Sequence, residues 1–355
     1  MKKIVYYISD HGYGHASRGI ALLRELAEDN DIHIIVKTGR PLDFIRESLQ
    51  SYNNIEYIYS ENDAGLLLKK DSLEVDKQGL QQRVTKWVQS WDELIGKEVS
   101  YLKGHNIDCI ISDITPWAFI AARKAGVKSI ALSNFTWYDQ YREILGENEI
   151  VEKVGNAYRE ADLFLRFPLH MDCRKAEEIK DIEFISRQIN NQKVKEIKKN
   201  YSAEKKLIFV GIGKSVDYSV LQEIEFSSYK EYNWLFSAGT GLQGENIFEV
   251  PAEETEMQNY IAACDIVITK AGWSTTAETI LAGVPLILIE RENIPEDSVV
   301  INKVKQKGLG ISISTEDFFT MDFMDRFNEL EEIRRKSPAY SNKSAAIADM
   351  INKYI

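Results

Sequence analysis

The run Val267-Ile-Thr-Lys-Ala-Gly-Trp-Ser-Thr-Thr-Ala-Glu278, continued through Thr279-Ile-Leu-Ala-Gly-Val-Pro-Leu-Ile-Leu-Ile289, leaves little freedom in local structure. Cys264-Asp265-Ile-Val-Ile-Thr269 is a short β-branched apolar run, the pattern of a buried parallel strand. Lys270-Ala-Gly-Trp273 breaks it, and Ser274-Thr-Thr-Ala-Glu278 opens a helix with Ser or Thr offered as N-cap. Gly283-Val-Pro285 stops the helix and Leu286–Ile289 is the next strand. A strand, a glycine turn and a helix N-terminus gather unpaired backbone N–H groups and a positive partial charge at one point, which suits phosphate. The plain alternative is an ordinary βαβ unit with an incidental glycine. Glu278 argues for the ligand: one turn inside the helix, its carboxylate is placed to accept from two ribose hydroxyls.

The 355 residues are enough for two domains of ordinary size, and 44% apolar with 28% charged residues is the balance of a globular chain. A formal charge of −11 disfavours nucleic acid and an anionic membrane surface, both of which need clustered Lys and Arg. No run of about eighteen consecutive apolar residues occurs, so no membrane span is expected, and peripheral membrane contact is not indicated. The apolar run after Met1 is too short for a signal-peptide core and ends at Asp10, so it reads as a first strand. Cys109, Cys173 and Cys264 lie far apart without metal-ligand spacing, which predicts reduced, packed thiols in a cytoplasmic protein.

Strand-like runs at 4–9, 32–36, 55–59, 108–112, 128–132 and 163–166 alternate with helical ones, including a long amphipathic helix from about 81 to 102. The last of these strands is expected to close a first sheet. Residues 190–206, rich in Asn, Lys and Glu, read as a linker. Strands at 206–210, 234–237, 247–250, 264–269, 286–289 and after Gly310 then predict a second sheet, followed by a helical tail. The fold class is therefore α/β, a parallel sheet covered by helices, twice over.

Gly12-x-Gly14-x-x-Ser17 half-matches a dinucleotide fingerprint, but Ser17 replaces the third glycine and Lys37-Thr38 stand where an acid is required, so a nicotinamide or flavin enzyme is disfavoured. Ile208-Phe-Val-Gly-Ile-Gly-Lys-Ser215 lacks the first glycine of a P-loop; Gly211, Gly213, Lys214 and Ser215 still offer a phosphate donors and a charge. Asp29-Asn-Asp31 has metal-motif spacing but falls on the face opposite the strand C-termini, and reads as a solvated turn. His15, at the mouth of the first strand, faces the crevice and suits a general base, with Asp113 on the same edge to orient it. His11 is the competing base. Arg18 binds an anionic group or pairs with an acid. Asn134 and Trp137 place an amide and an aromatic at the crevice, as carbohydrate binding would use. Trp87 and Trp91, one turn apart, are expected in the core.

Glycine, hydroxyl residues, Glu278 and then Ala282-Gly-Val-Pro285 resemble the nucleotide-sugar signature of glycosyltransferases of the GT-B fold, two Rossmann-like domains facing a cleft, and family 28 in particular. Gly14-His15 resembles that family's N-terminal loop, and Val250 to Met257 its base-binding segment. His11 to Arg18, Ser112 to Pro116 and Ser133 to Trp137 are similar to the glycosyltransferase-like N-terminal region of plant L-arabinokinases. The resemblance implies domains at 1–190 (acceptor side) and 200–335 (nucleotide sugar), and a helix at 336–355 crossing back to the first. It implies an inverting, metal-independent glycosyltransferase using a nucleoside diphosphate sugar, expected to be a UDP-sugar, and no other cofactor. Donor contacts fall to Gly14, Gly211, Gly213, Lys214, Ser215, Glu254, Met257, Gly272, Ser274, Thr275 and Glu278; acceptor contacts to His11, Arg18, Asn134 and Trp137; catalysis to His15 and Asp113. The chain departs from the family after Ile289, where Ser298 and Val299 replace glutamines that hold the donor sugar, while Glu296 keeps an acid. A nucleotide-sugar hydrolase or epimerase, and a non-catalytic sugar-nucleotide-binding module, are the alternatives. Donor sugar, acceptor and oligomeric state are not written in the sequence.

Overall fold

The computed structural model describes residues 1–69, 74–202, 204–212, 218–336 and 339–355. The first half runs β1 (Lys2–Ile8), α1 (Tyr13–Ala27), β2 (Ile32–Thr38), α2 (Leu42–Ser48), β3 (Ile55–Tyr59), α3 (Lys77–Gln89), α4 (Trp91–Gly104), β4 (Cys109–Asp113), α5 (Trp117–Ala125), β5 (Lys128–Ser133), α6 (Trp137–Leu145), α7 (Glu149–Tyr158), β6 (Leu163–Arg166) and β7 (Ile179–Asp181). The second runs α8 (Asn191–Tyr201), β8 (Lys206–Gly211), β9 (Tyr232–Phe236), β10 (Ile247–Glu249), α9 (Met257–Ala263), β11 (Ile266–Lys270), α10 (Trp273–Ala282), β12 (Leu286–Glu290), α11 (Pro295–Gln306), β13 (Gly310–Ser314), α12 (Thr315–Thr320), α13 (Phe327–Lys336) and α14 (Ser344–Tyr354).

Two parallel sheets result, in the orders β3-β2-β1-β4-β5-β6-β7 and β10-β9-β8-β11-β12-β13. In each, the order reverses beside the first strand: β1 has β2 on one side and β4 on the other, and β8 has β9 and β11. The crevice beyond such a switch point is where open α/β sheets bind ligands. Strand side chains alternate between the two faces, and helices bury both. Ile4, Tyr6 and Ile8 of β1 enter one apolar cluster, Val5 and Tyr7 another. The first of these clusters continues through α1 and Ile347 and Ile351 of α14 into Leu207 and Phe209 of β8. The last helix therefore lies on the first.

Three sequence expectations change. The long helix breaks at Ser90, which ends α3 and precedes α4; its hydroxyl donates to the Trp87 carbonyl at 2.7 Å, local competition that bends or ends helices. Trp91 is fully buried with Trp87 packed edge-on against it, so the apolar stripe survives the break. The first sheet does not end at β6, because the short polar run Ile179–Asp181 pairs with it as β7. The linker is largely α8: Asn190 caps it by accepting from the N–H groups of Gln192 and Lys193, and Ile197 is its one buried residue. With so thin an apolar stripe, composition alone reads as a linker. The turn carrying Asp29 and Asp31 joins α1 to β2, and among the described residues no group of three or more His, Cys, Asp or Glu is placed to hold a metal. The three cysteines are buried and unpaired. Among the described residues no helix is long and apolar enough to cross a membrane.

Candidate active site

A cleft of about 820 Å³ opens between the halves, a size typical of sites for small organic ligands. Of the residues singled out from sequence, His11, Gly14, His15 and Arg18 line its first-half wall, and Gly211, Glu254, Met257, Gly272, Ser274, Thr275 and Glu278 its second-half wall. Gly213, Lys214 and Ser215 lie outside the described residues.

On the second-half wall the helix α10 starts one residue earlier than expected, and its cap differs. Gly272 is the N-cap and no side chain caps the turn. Neither Ser nor Thr is the cap because both lie inside the helix: Ser274 turns its hydroxyl outward to the Gly14 carbonyl at 2.7 Å, and the Thr275 carbonyl accepts from Thr279. First-turn N–H groups without a side-chain cap, with the helix dipole behind them, form an anion site. Gly14 is the close approach of the halves here: a Cβ on it would stand 3.5 Å from the Ser274 hydroxyl.

Glu278 is 4% exposed and engaged by Arg187, whose Nε and Nη2 reach the same carboxylate oxygen, Oε1, at 3.1 and 2.8 Å. Arg187 also donates to the Thr255 carbonyl, so one guanidinium ties α10 to the loop before α9. Nothing in the sequence flags Arg187. It sits alone between the halves, in no motif and no periodic run, and only the fold brings it to Glu278. Lys270, Arg291 and Glu296 complete this wall. Burial, with the Arg291 charge second, brings the Lys270 ammonium down to about 8. Arg291 is itself held bidentately by Asp297, at 2.6 and 2.8 Å.

The opposite wall carries the histidines. Ile8 of β1 pairs with Asp113 of β4, so the loop after β1 and the end of β4 meet at the switch point. There His15 Nδ1 lies 2.8 Å from Asp113 Oδ1. Arg18 reaches both oxygens of Asp113, at 2.6 and 2.5 Å, and donates to Asn134 Oδ1 at 2.7 Å and to Ser133 at 3.2 Å. Asn134 in turn donates to Glu296 of α11 at 2.8 Å, so the network crosses to the second half. Asp113 is fully buried behind His15, and Arg18 is spent on it rather than offered to an anion. Burial alone would raise the Asp113 carboxyl, but Arg18 and His15 outweigh it and hold it below the usual carboxylate range. Burial also lowers His15, with Arg18 adding to the effect and Asp113 opposing it, so the imidazole is neutral at pH 7.

His11 differs. Its Nδ1 accepts from the Leu66 N–H at 3.4 Å, and burial followed by the nearby Lys270 charge pushes it down to about 3. It is a neutral N–H donor across the whole ordinary pH range, unsuited to taking a proton. Asn134 and Trp137 are fully buried and not among the cleft-lining residues. Trp137 stacks on Tyr141, meets His11 edge-on with centroids 5.6 Å apart, and donates to Asp63 at 3.3 Å. Both residues thus stand behind the wall and fix the side chains in front of them. Asp63, missed from sequence, lines the cleft and is pushed up to about 7, by burial first and the Asp10 charge second.

Comparison with known proteins fits this architecture. Residues 2–154 match the model for glycosyl transferase family 1, and residues 184–348 that for the glycosyltransferase family 28 C-terminal domain. L-arabinokinase of Arabidopsis thaliana is 25% identical over 324 residues, 88% of this chain and 30% of that protein. The UDP-N-acetylglucosamine–N-acetylmuramyl-(pentapeptide) pyrophosphoryl-undecaprenol N-acetylglucosamine transferase of Thermosipho africanus (strain TCF52B) is 27% identical over 165 residues, 44% of this chain and 49% of that protein. The chain thus spans less than half the length of either relative. Among solved structures, CalG4, the calicheamicin glycosyltransferase, superposes with a TM-score of 0.65 at 14% identity, covering 99% of this chain and 98% of its own. UGT89C1 of Arabidopsis thaliana complexed with UDP gives 0.66 at 12% identity, covering 99% of both chains. At such identities these two likenesses carry the fold.

Proposed function

The chain belongs to the glycosyltransferases of the GT-B fold, and from that premise we propose that it moves a sugar from a UDP-sugar to an acceptor hydroxyl, with inversion and without a metal. The observation that carries the reading is the opposition of two devices across one cleft: the His15–Asp113 pair on one wall and the uncapped α10 N-terminus on the other. Nδ1 of His15 lies 2.8 Å from both Asp113 Oδ1 and Arg18 Nη2; with the bond to the carboxylate taken as the operative one, Nδ1 is the protonated nitrogen, which leaves Nε2 to accept a proton. Asp113 orients the ring and stabilises the imidazolium once formed, while Arg18 keeps that carboxylate ionised.

His15 takes the acceptor's hydroxyl proton as the oxygen attacks the sugar's anomeric carbon. The bond from that carbon to the diphosphate oxygen breaks on the opposite side, and the diphosphate leaves with both electrons. A single displacement of this kind inverts the anomeric centre. Charge developing on the leaving group is met by the α10 N–H groups, with Lys270 beside them. The second oxygen of Glu278, outside both Arg187 bonds, takes the ribose hydroxyls, and Glu254 and Met257 flank the base. His11 donates to the acceptor; Asn134 and Trp137 act as positioning residues through Arg18 and His11. The site of action proposed is the cytoplasm.

A thermal-shift series with UDP and UDP-sugars tests this. Stabilisation by UDP, abolished in Glu278→Ala, is the expected result; no response of the unaltered chain to any nucleotide defeats the proposal. A nucleotide-sugar sensor without turnover is the second reading, favoured by Arg187 already occupying Glu278 Oε1. Donor binding with no UDP release, whatever acceptor is supplied, would select it.

A further inference from the structure

Much of the first-half side of the cleft is lined by the segment 61–69, between β3 and α3. Two carboxylates stand at its start, and their surroundings differ. Asp10 is a backbone staple: Oδ1 accepts from the Gly39 N–H and Oδ2 from that of Asn62. Asp63 is half-buried and lines the cleft. The Trp137 indole reaches its Oδ2 at a long 3.3 Å and the Ser9 hydroxyl bears on the carboxyl, but Oδ1 is buried with no hydrogen-bond partner among the described residues. Buried polar groups are nearly always paired, and leaving a charged one unpaired is the costliest case. The last torsion of an Asp side chain is soft, so either oxygen can turn to the cleft.

His11 shares its support. Trp137 meets the imidazole edge-on and donates to Asp63, and it is itself stacked on Tyr141, whose hydroxyl donates to the Gly65 carbonyl at 2.9 Å. A Cβ on Gly65 would stand 2.8 Å from His11 Nδ1, so glycine lets the segment close on the ring. There Nδ1 accepts from the Leu66 N–H, which leaves the Nε2 proton to donate. A carboxylate acceptor and an imidazole donor thus stand on one rigid base. A hydroxyl both donates and accepts, so two hydroxyls of one ligand match the pair. Charge of both signs meets here: Lys270, Arg291 and Arg83 bear on His11, while Asp10 and Asp113 bear on Asp63. Such a setting favours neither a cation nor an anion. We propose that Asp63 and His11 select the acceptor, and that the acceptor is an uncharged polyol, a sugar or cyclitol ring, held here by two hydroxyls while the reacting one meets His15. Leu66, half-buried on the same segment, offers an apolar surface to the ring's C–H groups. The role of the bound polyol rests on the transferase reading, which this inference deepens by naming a substrate class.

The test is a ligand-observed NMR titration of the full chain, first with UDP and then, at saturating UDP, with methyl β-D-glucoside, methyl β-D-galactoside, methyl α-D-mannoside and myo-inositol. Cyclohexanol, a ring of the same size with a single hydroxyl, is the reference, and glucosamine and glucuronate are the charged counterparts. A hydrogen bond to an ionised group is worth about tenfold in affinity or more, so at least one polyol is expected to bind about tenfold or more tightly than cyclohexanol. That polyol also outbinds both charged sugars. Asp63→Ala is expected to abolish the preference, and Asp63→Asn, a neutral acceptor of the same shape, to weaken it about fivefold. Melting curves and UDP titration establish that both variants fold. No polyol exceeding cyclohexanol, a charged sugar bound more tightly than every polyol, or a preference kept by both variants overturns the inference and leaves the transferase reading in place. No UDP binding by the unaltered chain ends that reading, and the acceptor role with it.

Discussion

Asp113→Asn separates what the buried network does for stability from what it does for chemistry. The carboxylate is fully buried and receives two hydrogen bonds from Arg18, at 2.6 and 2.5 Å, beside His15 at 2.8 Å. Asparagine keeps the volume but presents one acceptor where three donors converge, and it leaves Arg18, 3% exposed, without its carboxylate. Removing one partner of a buried pair costs about 3–5 kcal/mol. For a unit of this size that lowers the melting temperature by roughly 6–20 °C, at about 2–4 °C per kcal/mol. His15→Gln removes one hydrogen bond to a charged group and costs about 1.5–3 kcal/mol. Turnover responds in the other sense: loss of the base costs on the order of 10²–10⁴ in rate, so a well-folded His15→Gln is nearly inactive. Because the folded-state Asp113 carboxyl is held below its unfolded value, its contribution is complete above about pH 4 and is lost only as the pH falls through the lower folded value. The gap in melting temperature between the parent and Asp113→Asn is therefore constant from pH 8 to 7, widens below the ordinary imidazole value of about 6.5 because His15 has lost the carboxylate that favours its charged form, and closes only in stronger acid as Asp113 itself titrates. Calorimetry of both variants across that range, beside UDP-release rates, checks each part. A gap no larger than that of His15→Gln, or one that shrinks already at pH 6, refutes the assignment of the ion pair.

The lowered His15 value places the acid limb of kcat/KM below the ordinary imidazole value of about 6.5, with a flat profile from there to pH 8; a limb centred above pH 7 would falsify the base assignment. Lys270 is held at about 8, so UDP affinity measured by titration calorimetry is flat below pH 7 and weakens as the pH rises through 8. Lys270→Met loses roughly tenfold in affinity at pH 7, one charged hydrogen bond, along with the alkaline weakening; a variant that keeps the pH dependence places its origin elsewhere.

Much of this was legible in the sequence where local pattern and function coincide. The strand before Lys270, the glycine turn and the helix through Glu278 needed no tertiary information, and neither did the first strand with its glycines and His15. The pairing of His15 with Asp113 was legible one level up, since adjacent parallel strands bring their C-terminal ends together. What escaped depended on contacts between the halves. Ser274 was expected to cap its own helix but reaches the Gly14 carbonyl, 260 residues away in sequence. Trp137 was expected at the crevice because its loop is there, but its ring turns inward onto Tyr141. Arg187, which governs Glu278, has no local signature at all. A side chain's address follows from its strand, but its direction follows from what else packs there.

The chain passes between the halves twice, once before α8 and once before α14, and the two passages are bound to each other. Asn342 donates to the Ser186 carbonyl at 2.6 Å and accepts from its N–H at 3.2 Å, Lys343 N–H donates to Phe184, and Tyr340 meets the Phe184 ring edge-on. A single tether would allow swivel and twist in every direction. Two tethers clamped side by side restrict that freedom and hold the same residues in register. Cutting the later tether ahead of Ser344 would free the twist while leaving both sheets whole, and would cost fidelity of alignment before it cost folding.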